Sequence, residues 1–222
     1  MGYPDEARRD EAMHHDTTRA WAAVILLAGQ SRRMGRPKQH VAVGGKTFLE
    51  HVLHGLAAVR AQVSPPWLFV GQDGDAAGRE RVAAAGGVWL VNPRPEDGPL
   101  SSIRVALPHL PAGWGFLLWP IDHPLVRPAT LTALMAAAAA HPTALTVPSV
   151  DRQRGHPVVF PAWAVADLHQ APLDEGARWV FQRHPERIVH VEVDDPWVRT
   201  NLNTPELVAA AERWLAARPR DR

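Results

Sequence analysis

A short apolar run that breaks into a loop rich in glycine and arginine constrains this chain more than any other feature. The run is Val24–Ala28, and the loop after it reads Gly29-Gln30-Ser31-Arg32-Arg33-Met34-Gly35-Arg36-Pro37-Lys38. The run predicts a buried strand that brings the loop to the edge of a sheet. Glycines at both ends expose backbone N–H groups, and the basic side chains add positive charge. This combination is suited to binding a polyphosphate.

The loop differs from two common phosphate-binding motifs. A P-loop has Gly-Lys-Ser/Thr after four spacer residues, and this loop does not. The dinucleotide fingerprint G-x-G-x-x-G does not fit either, since Gly29 and Gly35 are six positions apart. An oxidoreductase with a dinucleotide cofactor is therefore disfavoured.

Length and composition indicate an α/β protein with one folded domain. With 222 residues, 46% of them hydrophobic, the chain can bury a substantial core. The 24 basic and 23 acidic side chains nearly cancel, which argues against a nucleic-acid-binding surface. The absence of cysteine fits a cytoplasmic protein, and the apolar run at Trp21–Ala28 is too short to span a membrane. We expect a monomer or a weak homo-oligomer.

The sequence divides into an N-terminal extension and this domain. Residues 1–20 carry many charges and lack apolar periodicity, so we predict a flexible extension. The domain spans residues 21–218. We divide it into a nucleotide-binding part at 21–149, an acceptor-side lobe at 150–200 and a closing helix at 201–218.

Alternating apolar patterns predict the order of elements. Strands are predicted at Trp21–Ala28, Trp67–Val70, Val88–Val91, Phe116–Trp119 and Ala144–Val147, with extended pieces at His156–Phe160 and Ile188–Val193. Helices are predicted from the Thr47-x-x-Glu50 capping box to about Gln62, at Asp75–Ala85, Ser101–His109 and Ala129–Ala140, near Gly176–Arg183, and from Thr204 to about Ala217. This alternation predicts a Rossmann-like three-layer α/β/α fold with a mostly parallel sheet. Its ligand site would lie at the carboxyl ends of the strands.

Three charged residues are the candidates for catalysis. Arg33 and Lys38 would bind a triphosphate, with Lys38 close to the α-phosphate, because nucleotidyl transfer needs positioning and charge neutralisation. Asp122, which follows the strand at Phe116–Trp119, is the candidate Mg²⁺ ligand. Asn203, or Asn201 on the same side of an extended segment, would complete the metal shell. The alternative roles are solvated surface charges, a turn residue and a helix cap.

Other polar residues are candidates for substrate contacts. One loop offers hydroxyl and amide groups for the base or ribose, although a serine-rich helix start is equally explained by capping; its residues are Asn92, Gly98, Ser101 and Ser102. His156 and Arg178 are candidates for a phosphate of the acceptor. A structural role for His156 is the alternative.

These motifs together resemble the MobA-like nucleotidyltransferases, over most of residues 22–215. Ala28 to Lys38 is similar to the family signature A-G-x-S-x-R-M-G-x-x-K, and Pro120-x-Asp122-x-Pro124 resembles its metal motif. The resemblance implies a fold of the nucleotide-diphospho-sugar transferase type. It also implies transfer of a nucleoside monophosphate from NTP to a phosphorylated acceptor such as molybdopterin, with Mg²⁺ and release of pyrophosphate. The nucleotide-binding residues it implies in the first loop are Leu27, Ala28, Gly29, Ser31 and Gly35.

The resemblance is divided between two branches of the family. Arg36-Pro37-Lys38 and Gly155-His156-Pro157-Val158 look like the cytidylyltransferase branch, whereas Asn201-x-Asn203 looks like the guanylyltransferase branch. Leu27 stands where the family has Ala or Gly close to the base. We favour CTP as the nucleotide. The alternatives are GTP, a sugar phosphate or another small-molecule acceptor, and a non-catalytic nucleotide-binding accessory protein.

Overall fold

The structure is a computed structural model that describes residues 21–29 and 34–217. The predicted extension at residues 1–20 lies outside the described residues. The same is true of two predicted site residues in the first loop, Ser31 and Arg33.

A mixed β-sheet forms the middle layer. The strands, in chain order, are β1 (Trp21–Leu26), β2 (Ala42–Val43), β3 (Lys46–Thr47), β4 (Val63–Gly71), β5 (Val88–Val91), β6 (Gly115–Pro120), β7 (Leu145–Val150), β8 (Gln153–Arg154), β9 (Val158–Phe160) and β10 (Ile188–Glu192). The main sheet has the order β10-β7-β9-β6-β1-β4-β5, and β8 pairs with β7. Strands β2 and β3 form a separate antiparallel pair.

Most neighbouring strands of the main sheet are parallel, as predicted. Strand β1 is parallel to β4 and β6, β4 to β5, and β7 to β10. Strand β9 is the exception, because it lies antiparallel between β6 and β7. Its first residue therefore lies at the edge where the parallel strands end, and the loop before β9 reaches that edge.

Helices cover both faces of this sheet, which confirms the three-layer prediction. They are α1 (Phe48–Ala58), α2 (Ala76–Ala84), α3 (Pro99–Ala106), α4 (Pro128–Ala140), α5 (Ala164–Gln170), α6 (Arg178–Arg183) and α7 (Pro205–Ala216). Alternate residues of β1 show the two faces: Ala23 and Ile25 belong to the apolar cluster that includes α1 and α4 residues, and Ala22 and Val24 to the cluster that includes α3 and α5 residues. Within the described ranges, no helix is both long and apolar enough to cross a membrane.

Helix α1 begins where its sequence predicts and ends earlier. The Thr47 hydroxyl accepts a hydrogen bond from Glu50 N (3.2 Å), and the Glu50 carboxylate accepts one from Thr47 N (2.7 Å), which completes a capping box. The predicted end near Gln62 is wrong, because the chain turns at Val59 and enters β4 at Val63.

Two more predicted boundaries are corrected. Strand β4 begins at Val63 instead of Trp67, and the intervening prolines fall where the β1–β4 register shifts. Helix α3 begins at Pro99 instead of Ser101, because proline suits the first helical position and Gly98 before it has a φ of 86°. Helix α5 follows β9 directly and was not predicted.

Candidate functional site

The first loop and the end of β6 meet in an ion pair between Lys38 and Asp122. Lys38 opens a single 3₁₀ turn after the loop, and Asp122 lies two residues beyond β6. Lys38 Nζ is 2.9 Å from Asp122 Oδ2, with side chains 16% and 20% exposed. Burial alone would raise the pKa of Asp122, but the Lys38 ammonium outweighs this effect and holds that pKa below its ordinary value. A charged pair therefore faces the carboxyl edge of the sheet.

This ion pair lies in the wall of a large pocket. The pocket has a volume of about 920 Å³, which is within the usual range for sites that bind small molecules and cofactors. It extends from the loop before α3 across the ends of β1 and β6 to the loop before β9. The predicted site residues that line it are Ala28, Gly29, Lys38, Gly98, Ser102, Asp122, His156 and Arg178.

At one end, the pocket is lined by the segment after β1 and by the loop before α3, which includes the acidic residue Glu96. Ala28 and Gly29 follow β1, and Gly98 precedes α3. Asn92 lies behind this end: its Nδ2 donates to the Ser101 and Ser102 hydroxyls (2.8 and 2.9 Å). Because Asn92 Oδ1 also accepts from Arg94 N (2.9 Å), this amide is used within the loop and fixes its shape.

The opposite end combines cationic and aromatic side chains. Arg178, at the start of α6, was a predicted acceptor residue. Arg154, on β8, and the rings of Phe160 and Phe181 also line this end and were not predicted. The Arg154 guanidinium carbon lies 5.6 Å from the centre of the Phe181 ring, within cation–π range. The position of Arg154 directly before the Gly155-His156-Pro157 motif is the sequence signal from which it could have been identified.

Two buried histidines flank Asp122. The His123 and His156 ring centres are 4.9 Å apart, and His123 Nδ1 lies 3.2 Å from the Trp197 carbonyl oxygen. Burial lowers the pKa of both, and that of His156 to about 4. Both rings are consequently neutral near pH 7. His156 Nδ1 is buried without a hydrogen-bond partner among the described residues.

The segment that carries Asn201 and Asn203 runs beside Asp122. Leu202 N donates to the Asp122 carbonyl oxygen (2.7 Å), so Asn201 and Asn203 lie on either side of a residue that contacts Asp122. The Lys38 ammonium already occupies a cation position on the carboxylate. Over residues 21–29 and 34–217, no cluster of three or more His, Asp or Glu side chains is arranged to hold a metal. A metal here would depend on one carboxylate together with substrate oxygens and water.

Several predicted site residues do not line the large pocket. Leu27 is buried in the apolar core, 3% exposed, so its side chain does not shape the large pocket. Leu27 and Gly35 line a second, smaller pocket beside the first loop. The remaining ones are Asn92, Ser101, Asn201 and Asn203, whose positions are given above.

A family model and two curated relatives each match most of this chain. A family model described as a MobA-like NTP transferase domain matches residues 23–188. A molybdenum cofactor guanylyltransferase of Rhizobium johnstonii is 31% identical over 216 residues, covering 88% of this chain and 93% of that protein. A protein of the same name from Rhizobium meliloti is 32% identical over 215 residues, with coverages of 87% and 91%.

A solved structure extends the likeness to the fold. The molybdopterin-guanine dinucleotide biosynthesis protein A of Archaeoglobus fulgidus superimposes with a TM-score of 0.66 and is 21% identical. The match covers 89% of this chain and all of the other. The chain thus shares its overall fold with that protein.

Proposed function

We propose, since the chain belongs to the MobA-like NTP transferase family, that it transfers a nucleoside monophosphate from an NTP to the terminal phosphate of a small acceptor. The observation that carries this proposal is the ion pair of Lys38 and Asp122, placed between the two ends of one pocket. A nucleotide at the Gly98 end and an acceptor at the Arg178 end would meet at this pair.

The chemistry requires an acceptor phosphate oxygen to attack the α-phosphorus. A new P–O bond forms there, the bond to the β-phosphate oxygen breaks, and pyrophosphate leaves with that electron pair. Both the attacking and the leaving groups are anionic, so the protein mainly has to orient them and neutralise charge. The Lys38 ammonium is suited to this task at the α-phosphate, and Arg33 to the other phosphates.

Mg²⁺ is the metal that we propose for this reaction. Asp122 would hold it, with Asn203 or Asn201 as a further oxygen ligand. When bound, the ion would neutralise charge on the triphosphate. Lys38 would then be released from Asp122 toward the nucleotide, which is consistent with an ion pair that is one-sixth to one-fifth exposed.

For the nucleotide, we propose GTP. The curated relatives at 31–32% identity are named guanylyltransferases, and they do not support the preference for CTP drawn from Arg36-Pro37-Lys38. The pair Asn201 and Asn203 is the guanylyltransferase pattern. CTP remains the second candidate, because Gly155-His156-Pro157-Val158 is the cytidylyltransferase pattern and borders the pocket.

For the acceptor, we propose molybdopterin. The names of the relatives support this acceptor, and so does the composition of the acceptor end. Phe160 and Phe181 offer apolar surface for a flat heterocycle, while Arg154 and Arg178 offer guanidinium groups for a phosphate.

Pyrophosphate release by the purified protein tests the proposal. The assay compares GTP, CTP, ATP and UTP with Mg²⁺, each with and without molybdopterin. We expect release with GTP and molybdopterin, and loss of it in Lys38→Ala and Asp122→Ala. Lys46→Ala is the matched control, because Lys46 is an exposed lysine on β3 outside both pockets. Tight NTP binding without product for any nucleotide would refute the enzymatic function and favour a nucleotide-binding accessory protein.

A further inference from the structure

One carboxylate receives hydrogen bonds from both residues that follow Lys38. Gln39 Nε2 donates to Asp75 Oδ2 (2.6 Å), and His40 Nε2 lies 2.8 Å from Asp75 Oδ1. Lys38, Gln39 and His40 form a single 3₁₀ turn. Asp75 lies on another part of the chain, as the N-cap of α2, where it accepts from Gly78 N (2.8 Å). The turn that carries Lys38 is therefore linked to the start of a helix.

This cluster is partly buried, with the His40 side chain 32% exposed. Gln39 is 4% exposed, and the side chain of Asp75 is 12% exposed. Burial alone would raise the pKa of Asp75, but hydrogen bonds from Gln39, Gly78 and His40 outweigh it and keep the pKa below its ordinary value. Asp75 therefore accepts these hydrogen bonds as a carboxylate, which makes them stronger than neutral ones.

The cluster does not belong to the pocket that holds the proposed reaction. Gln39, His40 and Asp75 line the smaller pocket, and none of them lines the larger one. Gln39 and His40 directly follow Lys38, so the backbone of Lys38 links this cluster to the reacting groups. That backbone has one further local restraint, a hydrogen bond from Val41 N to the Lys38 carbonyl oxygen (3.0 Å).

Lys38 needs such support because of its side chain. A lysine has four flexible methylene groups, and holding its ammonium at one point costs conformational entropy. Gly35, three positions before Lys38, has a φ of 66°, so the backbone there is neither helical nor extended. A fixed backbone at Lys38 reduces the number of positions the ammonium can sample.

We propose that Asp75 is a positioning residue, which holds Lys38 through Gln39 and His40 so that the ammonium reaches Asp122 and the phosphates of the nucleotide. The inference rests on the proposed function, in which Lys38 contacts those phosphates. It adds that nucleotide binding depends on Asp75, although Asp75 contacts neither substrate in this proposal.

Asp75→Ser separates this role from the capping of α2. Serine is also a favourable N-cap residue, so the helix start is retained, but its side chain is too short to reach Gln39 and His40. We expect the Kd of the Mg²⁺ complex of GTP, measured by calorimetry, to rise by about tenfold. Asp73→Ser is the control: it removes a carboxylate two residues away that is 86% exposed and pairs with Arg79. This variant should bind as the wild type does.

A second variant approaches the cluster from the other side. Gln39→Leu keeps a buried side chain of similar size and removes the donor to Asp75. It should raise the Kd to a similar degree as Asp75→Ser, and the two changes together should not multiply. If Asp75→Ser does not yield folded protein, judged by circular dichroism, Gln39→Leu still decides the question.

The Lys38→Ala background distinguishes positioning from general damage to the site. In that background Asp75→Ser should change the Kd by less than twofold, because there is no ammonium left to position. An equal loss in both backgrounds would overturn the inference. So would an unchanged Kd in Asp75→Ser and Gln39→Leu while Lys38→Ala weakens binding, and in that case the proposed function would stand. If Lys38→Ala itself leaves the Kd unchanged, both proposals fail.

Discussion

Lys38 Nζ lies 2.9 Å from Asp122 Oδ2, although 84 positions separate the two residues in the chain. The contact exists because β1 and β6 are parallel neighbours, which brings the segments that follow them to the same edge of the sheet. In the free protein each charge neutralises the other. When a nucleotide and a metal bind together, the ion pair would have to separate, so that Lys38 contacts the phosphates and Asp122 the cation.

Asp122→Asn should therefore strengthen nucleotide binding when no metal is present. The change removes a negative charge that repels phosphate and frees Lys38 from its partner. With EDTA we expect GTP to bind about three- to tenfold more tightly than to the wild type, as measured by calorimetry. With Mg²⁺ we expect turnover to fall by about 100-fold or more. Weaker binding of GTP in EDTA would contradict the role of the ion pair.

Arg154→Ala should affect the acceptor and leave the nucleotide unchanged. Arg154 lines the pocket beside Phe181, at the end that we propose for the acceptor. We expect the KM for the acceptor to rise about tenfold, in line with loss of a charge-assisted hydrogen bond, with an unchanged Kd for GTP. Arg152→Ala is a matched control, because Arg152 is an exposed arginine two residues away that does not line the pocket. Equal effects of the two substitutions would indicate a general charge effect instead.

His156 should make the folded protein less stable in mild acid. Burial lowers the pKa of His156 to about 4 in the folded state, against an ordinary value of 6.5. Between these values the unfolded chain binds more protons, so this contribution to stability is complete above about pH 6.5 and is lost as the pH falls toward 4.

His156→Phe removes this titration and nearly preserves the ring. At pH 5 the wild type should lose about 1–2 kcal/mol of unfolding free energy relative to pH 7.5 that the variant does not lose. Urea unfolding at the two pH values measures the difference. Equal losses in the two proteins would contradict the burial argument.

Gly155→Ala should disturb the acceptor end of the pocket through the backbone. A Cβ at Gly155 would lie 2.4 Å from the Val198 carbonyl oxygen, and His156 N donates to that same oxygen (2.7 Å). The backbone atoms must move apart, at a cost of about 1–3 kcal/mol. Thermal unfolding should show the loss of stability, and the KM for the acceptor should rise. An unchanged melting temperature would show that the close approach is not required.

The sequence predicted those parts of the fold that depend on local patterns. The capping box of Thr47 and Glu50 gave the start of α1, and the apolar run at Val88–Val91 gave β5 without correction. Strand β9 was more difficult, because three residues are too few to show a period and nothing local specifies an antiparallel neighbour. The start of β4 was missed because the prolines after Val63 argue against a strand.

In the candidate site, too, the sequence predicted the features that local motifs mark and missed contacts between distant segments. The residues placed by loops after strands were predicted to meet, and Lys38 and Asp122 do. The hydrogen bonds of Asp75 to Gln39 and His40 were not predicted, since they join segments 35 and 36 positions apart without a recognisable motif. The family resemblance suggested that Leu27 lies close to the base, and this stays a prediction. The Leu27 side chain packs in the apolar core and also lines the smaller pocket.

The reversed direction of β9 has a consequence for how such a protein can diversify. The half of the pocket near β1 and β5 is formed by chain leaving strands, whereas the half near His156 is formed by chain entering one. The β7–β8–β9 excursion can thus be lengthened, shortened or exchanged between relatives without altering any crossover connection of the parallel strands. Arg178 and Phe181 of α6 line the same half of the pocket, so α6 would have to change together with this excursion to reshape it.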